Sequence, residues 1–152
     1  MPLPFRATSF NSALVRSPVR SVVHGLRTGA RDNPTFAGVK AEHDAYVAAL
    51  RAAGVQVTEL DALEEFPDSI FVEDPALVFS NGAILLRPGA PSRFGETAAL
   101  APALRRRFDV VLELTEGFVE GGDVLVTPDV VLIGLSGRTD GAGAEALKVL
   151  LE

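Results

Sequence analysis

The 152 residues predict an α/β fold assembled from a repeated unit of strand, strand, helix and strand. Three observations point to it. Two short apolar runs, Ala76 to Ser80 and Ala83 to Arg87, flank Asn81-Gly82, a strong two-residue hairpin signal because both central positions of such a turn favour positive φ. The same design returns 47 positions later, and Phe71-Val72-Glu73 reappears upstream of it as Phe118-Val119-Glu120. Helical patterns with capping residues follow the strands.

A partial copy opens the chain, with a strand over Ala13 to Arg16, a helix over Pro34 to Ala53 and a strand over Val55 to Leu60. The helix is marked by Asp32 or Asn33 as N-cap, Pro34 near the first turn and Gly54 just past the end. Its apolar face runs Phe36, Val39, His43, Tyr46, Val47, Leu50. The full copy continues from its hairpin into a helix over Glu96 to Arg107, despite Pro102, and a strand over Val110 to Leu114. The third copy has strands over Val124 to Thr127 and Val130 to Leu135, a turn at Pro128-Asp129, and a helix from Thr139 or Asp140. Repeats of this size signal an array or a propeller, in which each unit hides its apolar face against the next and an incomplete array leaves an open edge. The closing AEALKVLLE is an amphipathic helix with no stop signal, so the expectation is a single incomplete domain over residues 1–152, truncated at its C-terminal end.

Composition narrows the function. A net charge of −6 argues against a nucleic-acid footprint and favours a small cation or neutral molecule as partner. With no cysteine, disulfides, thiolate metal sites and a Cys nucleophile are excluded within these residues. The N-terminal MPLPFRATSF has no apolar leader core and no stretch is long enough for a membrane span, so a soluble cytoplasmic protein without membrane association is expected. No cofactor and no metal are expected; the oligomeric state is left open, a homodimer included.

The hairpins bring loops together in pairs, because residues before the first strand and after the second lie at one open end. Loops Phe66 to Asp74 and Glu116 to Asp123 carry Asp68, Glu73, Asp74, Glu120 and Asp123, and the loops that follow the hairpins carry Arg93 and Arg138. Units arranged around one axis would converge these acids and arginines on a centre suited to a free arginine-like molecule. Carboxylates grip a guanidinium, and arginine grips a carboxylate in the same forked geometry. Plainer readings stand beside these: Asp68 as a turn cap after Pro67, Gly121-Gly122 as a backbone device, Arg93 paired with Glu96, Arg138 as a surface residue, and Phe71 packed under its loop rather than walling a pocket. His43 belongs to a helix core and His24 to a loop, neither in a catalytic context.

The stretch Phe66-Pro-Asp-Ser-Ile-Phe-Val-Glu-Asp-Pro75, with Arg87-Pro-Gly-Ala-Pro-Ser-Arg93-Phe-Gly-Glu-Thr97 after it, resembles the dimethylarginine dimethylaminohydrolases. So does Val119-Glu-Gly-Gly-Asp123 followed by Ser136-Gly-Arg138-Thr139; the likeness runs from about Ser12 to Glu152. The resemblance implies a five-bladed α/β propeller of the pentein type, of which this is about the first half. It implies Arg93 and Arg138 on the substrate α-carboxylate, Asp68 and the Leu26 carbonyl on the α-amino group, and Phe71, Glu73 and Asp74 at the guanidinium end. Glu120 would orient a catalytic histidine. The implied reaction is hydrolysis of Nω-methylated arginine to citrulline and an alkylamine through a cysteine and a histidine beyond Glu152, which leaves the fragment alone inactive. Arginine deimination, amidino transfer and a non-catalytic binding fragment are the alternatives; Glu73, where deiminases place an arginine, weighs against the first.

Overall fold

A computed structural model describes residues 10–29 and 32–152; the stretch read above as lacking a leader, residues 1–9, lies outside them. The chain forms two compact units, Ser9–Val72 and one containing Glu73–Glu152. Among the described residues no helix is long and apolar enough to cross a membrane.

In the first unit, strands β1 (Ser12–Arg16) and β2 (Gln56–Leu60) pair in parallel, Ser12 opposite Gln56 and Arg16 opposite Leu60. Parallel neighbours require a crossover, and helix α1 (Phe36–Ala52) supplies it. The helix starts later than expected, for neither Asp32 nor Asn33 caps it. Thr35 does, its Oγ1 accepting from the Gly38 amide at 3.1 Å, while the Asn33 side-chain oxygen accepts from Arg27 Nη2 at 2.7 Å. The C-terminus is as expected: Gly54 has φ 82°, with the Gly54 amide bonded to the Arg51 carbonyl and the Val55 amide to that of Leu50. His43 and Val47 form the buried stripe, with Phe36, Val39 and Leu50 half-buried. Tyr46, expected on that face, is exposed; it lies one residue off the His43–Val47 line, where its hydroxyl keeps its water.

The second unit holds the repeat. Strands β3 (Ala76–Phe79) and β4 (Gly82–Leu85) form an antiparallel hairpin, then α2 (Glu96–Arg107) returns the chain to β5 (Val111–Glu113), parallel to β4. Every residue of β4 is buried, which explains why this central strand reads as an unbroken apolar run. Helix α2 buries Glu96, Leu100, Ala101 and Leu104 on one side and leaves Pro102 exposed, where the carbonyl freed by its missing N–H can be hydrated. Strands β6 (Val124–Val126) and β7 (Val131–Ile133) make the second hairpin, followed by α3 (Gly141–Leu151), whose cap Asp140 accepts from the Gly143 amide. Phe79, Ile84, Leu86, Leu114, Val119 and Leu147 form the core of this unit, with Val124, Val126 and Ile133 packed against it.

The register corrects two expectations. Phe79 faces Gly82, so the first turn is Ser80-Asn81 and not Asn81-Gly82; among the described residues only Gly29, Gly54 and Gly117 have positive φ. The pair Ala76 and Leu85 recurs as Val124 and Ile133, so the hairpins repeat at 48 residues although the loops before them repeat at 47. The added residue falls in the 3-10 turn Gly121–Asp123. Gly82 is required for a different reason: a Cβ there would come 2.7 Å from the Val110 carbonyl oxygen, which accepts the Ala83 amide at 3.0 Å where β5 joins β4.

These distances predict that Gly82→Ala costs about 1–3 kcal/mol by forcing β5 off β4, whereas Asn81→Ala is nearly neutral. Denaturant titrations of the two variants check the order; an Asn-Gly turn would instead make both costly.

Candidate functional site

The polar groups of the second unit are brought together by its loops. The Gly121 amide donates to the Asp74 carbonyl at 2.9 Å and the Gly122 amide to Asp74 Oδ1 at 3.0 Å, so the 3-10 turn clasps the residue before β3. A Cβ on Gly121 would collide with the Glu73 carbonyl oxygen, which is why the turn needs glycine there. On the other side, the Gly89 amide donates to the Arg138 carbonyl at 3.1 Å, tying the loop after β4 to the loop after β7.

Arg93 ends the 3-10 turn Pro91–Arg93 and is 2% exposed. Its Nη1 donates to Asp74 Oδ2 at 2.5 Å, Nη2 to Glu96 Oε2 at 2.6 Å, and Nε to both Glu96 oxygens at 3.1 Å. Burial opposes the guanidinium charge, but the hydrogen bonds from Glu96 and Asp74 outweigh it and raise the pKa, so Arg93 is held protonated. Pairing of Arg93 with Glu96, the plainer of the two sequence readings, is therefore observed, and Asp74 joins it.

Arg138, about half exposed, forms an ion pair through Nη1 with Glu120 Oε1 at 2.9 Å. Glu120 is buried, and among the described residues its Oε2 has no hydrogen-bond partner. Desolvation, then the Asp74 charge, push its pKa above the ordinary 4.5, against the pull of Arg138 and Arg93. Its amide donates to Thr139 Oγ1 at 3.1 Å; that hydroxyl donates to Asp123 Oδ2 at 2.6 Å, and Ser136 Oγ to the same oxygen at 2.7 Å. Glu73 keeps solvent contact, yet the protein around its carboxyl raises its pKa by desolvation first, with Asp74 adding to it.

In the first unit Asp68 is buried, and both its carboxylate oxygens accept from the Leu26 amide, at 3.0 and 3.1 Å. Gly25 permits this approach, since a Cβ there would lie 2.7 Å from Asp68 Oδ1. Leu26 and Phe71 are each 48% exposed. The structure thus joins Asp68 with Leu26, Asp74 with Arg93, and Glu120 with Arg138. Sequence reasoning missed Thr139 as a hydroxyl relay to Asp123 and treated Glu96 only as a competitor for Arg93. The signal for Glu96 was its spacing, since i and i+3 across a helix start place two side chains on one side. Among the described residues no cluster suited to a metal ion is present.

A family model described as N,N dimethylarginine dimethylhydrolase, eukaryotic, matches residues 30–152. The N(G),N(G)-dimethylarginine dimethylaminohydrolase of Pseudomonas aeruginosa is 41% identical over 145 residues, covering 94% of this chain and 57% of that protein. The protein of the same name from Streptomyces coelicolor is 42% identical over 142 residues, 92% of this chain and 55% of its own. A solved structure of a Pseudomonas aeruginosa enzyme variant complexed with citrulline superposes with a TM-score of 0.89 at 39% identity, covering 93% of this chain and 56% of that one. The fold is accordingly the pentein-type α/β propeller, with ββαβ repeats. The chain spans a little over half the length of these relatives, and it belongs to the N,N-dimethylarginine dimethylhydrolase family.

Proposed function

We propose that the protein of which these residues are part hydrolyses Nω-methylated arginine to citrulline and an alkylamine. The observation that carries this reading is the pairing of charges in the second unit, Asp74 with Arg93 and Glu120 with Arg138, around a carboxylate oxygen of Glu120 that has no partner. A ligand with both a guanidinium and a carboxylate can replace the Glu120–Arg138 pair by pairs with itself without leaving a buried charge uncompensated. Arg138, on an exposed loop beside Gly137, is free to swing from Glu120 to an incoming α-carboxylate, while Arg93 stays buried between Asp74 and Glu96. Glu73, Asp74 and Glu120 of the second unit then serve the guanidinium; in the first unit, Asp68, the Leu26 carbonyl and Phe71 are assigned to the substrate by the family resemblance alone. The relatives named for this reaction, and the citrulline-bound solved structure, support the reading.

Chemically, carboxylates against the guanidinium keep it positive and its central carbon electrophilic. A thiolate from outside residues 1–152 would attack that carbon; an imidazole, oriented by Glu120, would protonate the departing amine; water would release citrulline. Glu120 suits the orienting role because it is a buried carboxylate with one oxygen that has no partner among the described residues, and an imidazolium N–H would supply one.

Citrulline release from asymmetric dimethylarginine by the complete protein tests the reading, and turnover confined to unmethylated arginine would defeat it. Asp74→Asn should cost about 2–5 kcal/mol of binding to the cationic substrate, while Arg138→Ala should cost about 1.5–3 kcal/mol and weaken citrulline equally, since both ligands carry the α-carboxylate. Calorimetry with each ligand separates the two effects. The pH response follows from carboxylates with raised pKa values: binding of the cation should fall as the pH is lowered and Glu120 and Glu73 take up protons, a fall that begins above the ordinary carboxylate value of 4.5. Glu120→Gln should remove part of that acid limb, and an unchanged limb would exclude Glu120 from it.

A further inference from the structure

Glu96 is a buried acid that the reaction above does not use. It is 3% exposed, stands first in α2, and closes on the Nε and Nη2 edge of Arg93, whose Nη1 meets Asp74. A helix N-terminus alone favours an acid at this position, but it does not require a forked grip on a buried arginine.

The charges explain the arrangement. Asp74, Arg93 and Glu96 together carry a net −1, whereas Asp74 and Arg93 alone would be neutral. A neutral pair has little attraction for a further cation; a pair whose arginine is shared with a second carboxylate retains a negative field at Asp74. The grip also fixes the guanidinium plane, because the Nε edge and Nη2 are bound together and the arginine cannot rotate without losing both.

We propose that Glu96 is a positioning residue for the cation site: it draws off half of the Arg93 charge and locks its plane, so that Asp74 remains able to hold a guanidinium. The proposal rests on the assignment of Asp74 to the guanidinium end of the substrate.

The test is binding of two ligands of one shape and different charge, cationic monomethylarginine and neutral citrulline, to the complete wild-type protein, Glu96→Gln and Glu96→Asp, by calorimetry. Glu96→Gln should weaken monomethylarginine on the order of ten-fold, the effect of one lost charge at intermediate dielectric, and shift citrulline less than about two-fold. Glu96→Asp, which restores the charge, should recover most of the loss. Equal weakening of both ligands, or full affinity for the cation in Glu96→Gln, would overturn the proposal, as would a wild type that does not prefer the cation. Because binding is the readout, a wild type that binds the cation but releases no citrulline defeats the hydrolase reading alone. Should Glu96→Gln fail to fold, Glu96→Ala decides, since alanine keeps the helix propensity of the position: loss of the carboxylate must weaken the cation more than citrulline.

Discussion

The second unit is organised by one interaction, the burial of the Arg93 guanidinium between Asp74 and Glu96. A buried arginine is tolerated only when its charge and its donors are matched, and breaking such an arrangement by removing one partner leaves an uncompensated charge away from water. That constraint reaches outward. Glu96 fixes where α2 begins, and Asp74 must be presented by the loop before β3. The glycine turn Gly121–Asp123 must come close enough to donate its amides to Asp74. The site is therefore part of the packing of the unit and not an addition to its surface.

Around this buried centre the other charges are less tightly held. Glu120 has one oxygen on the half-exposed Arg138 and one with no partner, and Asp123 is occupied by two hydroxyls. The gradient from a fully engaged arginine to a half-exposed one gives the two basic residues different characters. Arg93 is a fixed counter-ion with a fixed plane, and Arg138 a side chain that can change partners.

Much of this was legible in the sequence, and the failures have physical causes. Helix α2 was legible to the residue because its apolar stripe is regular, and the end of α1 because Gly54 adopts the left-handed conformation that a helix stop favours. Its start was not: Asp32, Asn33 and Thr35 are all potential caps within four residues, and it is Thr35 that serves, while Asn33 binds Arg27. The turn at Ser80-Asn81 was misread because Asn-Gly has a strong local signal, whereas Gly82 answers to a neighbouring strand that is close only after folding. Among the acids and arginines that the sequence singled out, the structure joins two pairs, Asp74 with Arg93 and Glu120 with Arg138, but the sequence could not tell an internal ion pair from a pair of ligand contacts. Both use the same residue types at the same spacing.

The Gly121–Asp123 turn has a consequence for the repeat itself. At the 47-residue spacing of the loops before the hairpins, Asp74 corresponds to Gly121, and the Gly121 amide is bonded to the Asp74 carbonyl. At matched positions one copy offers an acceptor and the other a donor, plug and socket cut from the same template. A unit of this kind can join its neighbour in one direction only, so the order of the copies along the chain is written into their hydrogen bonding.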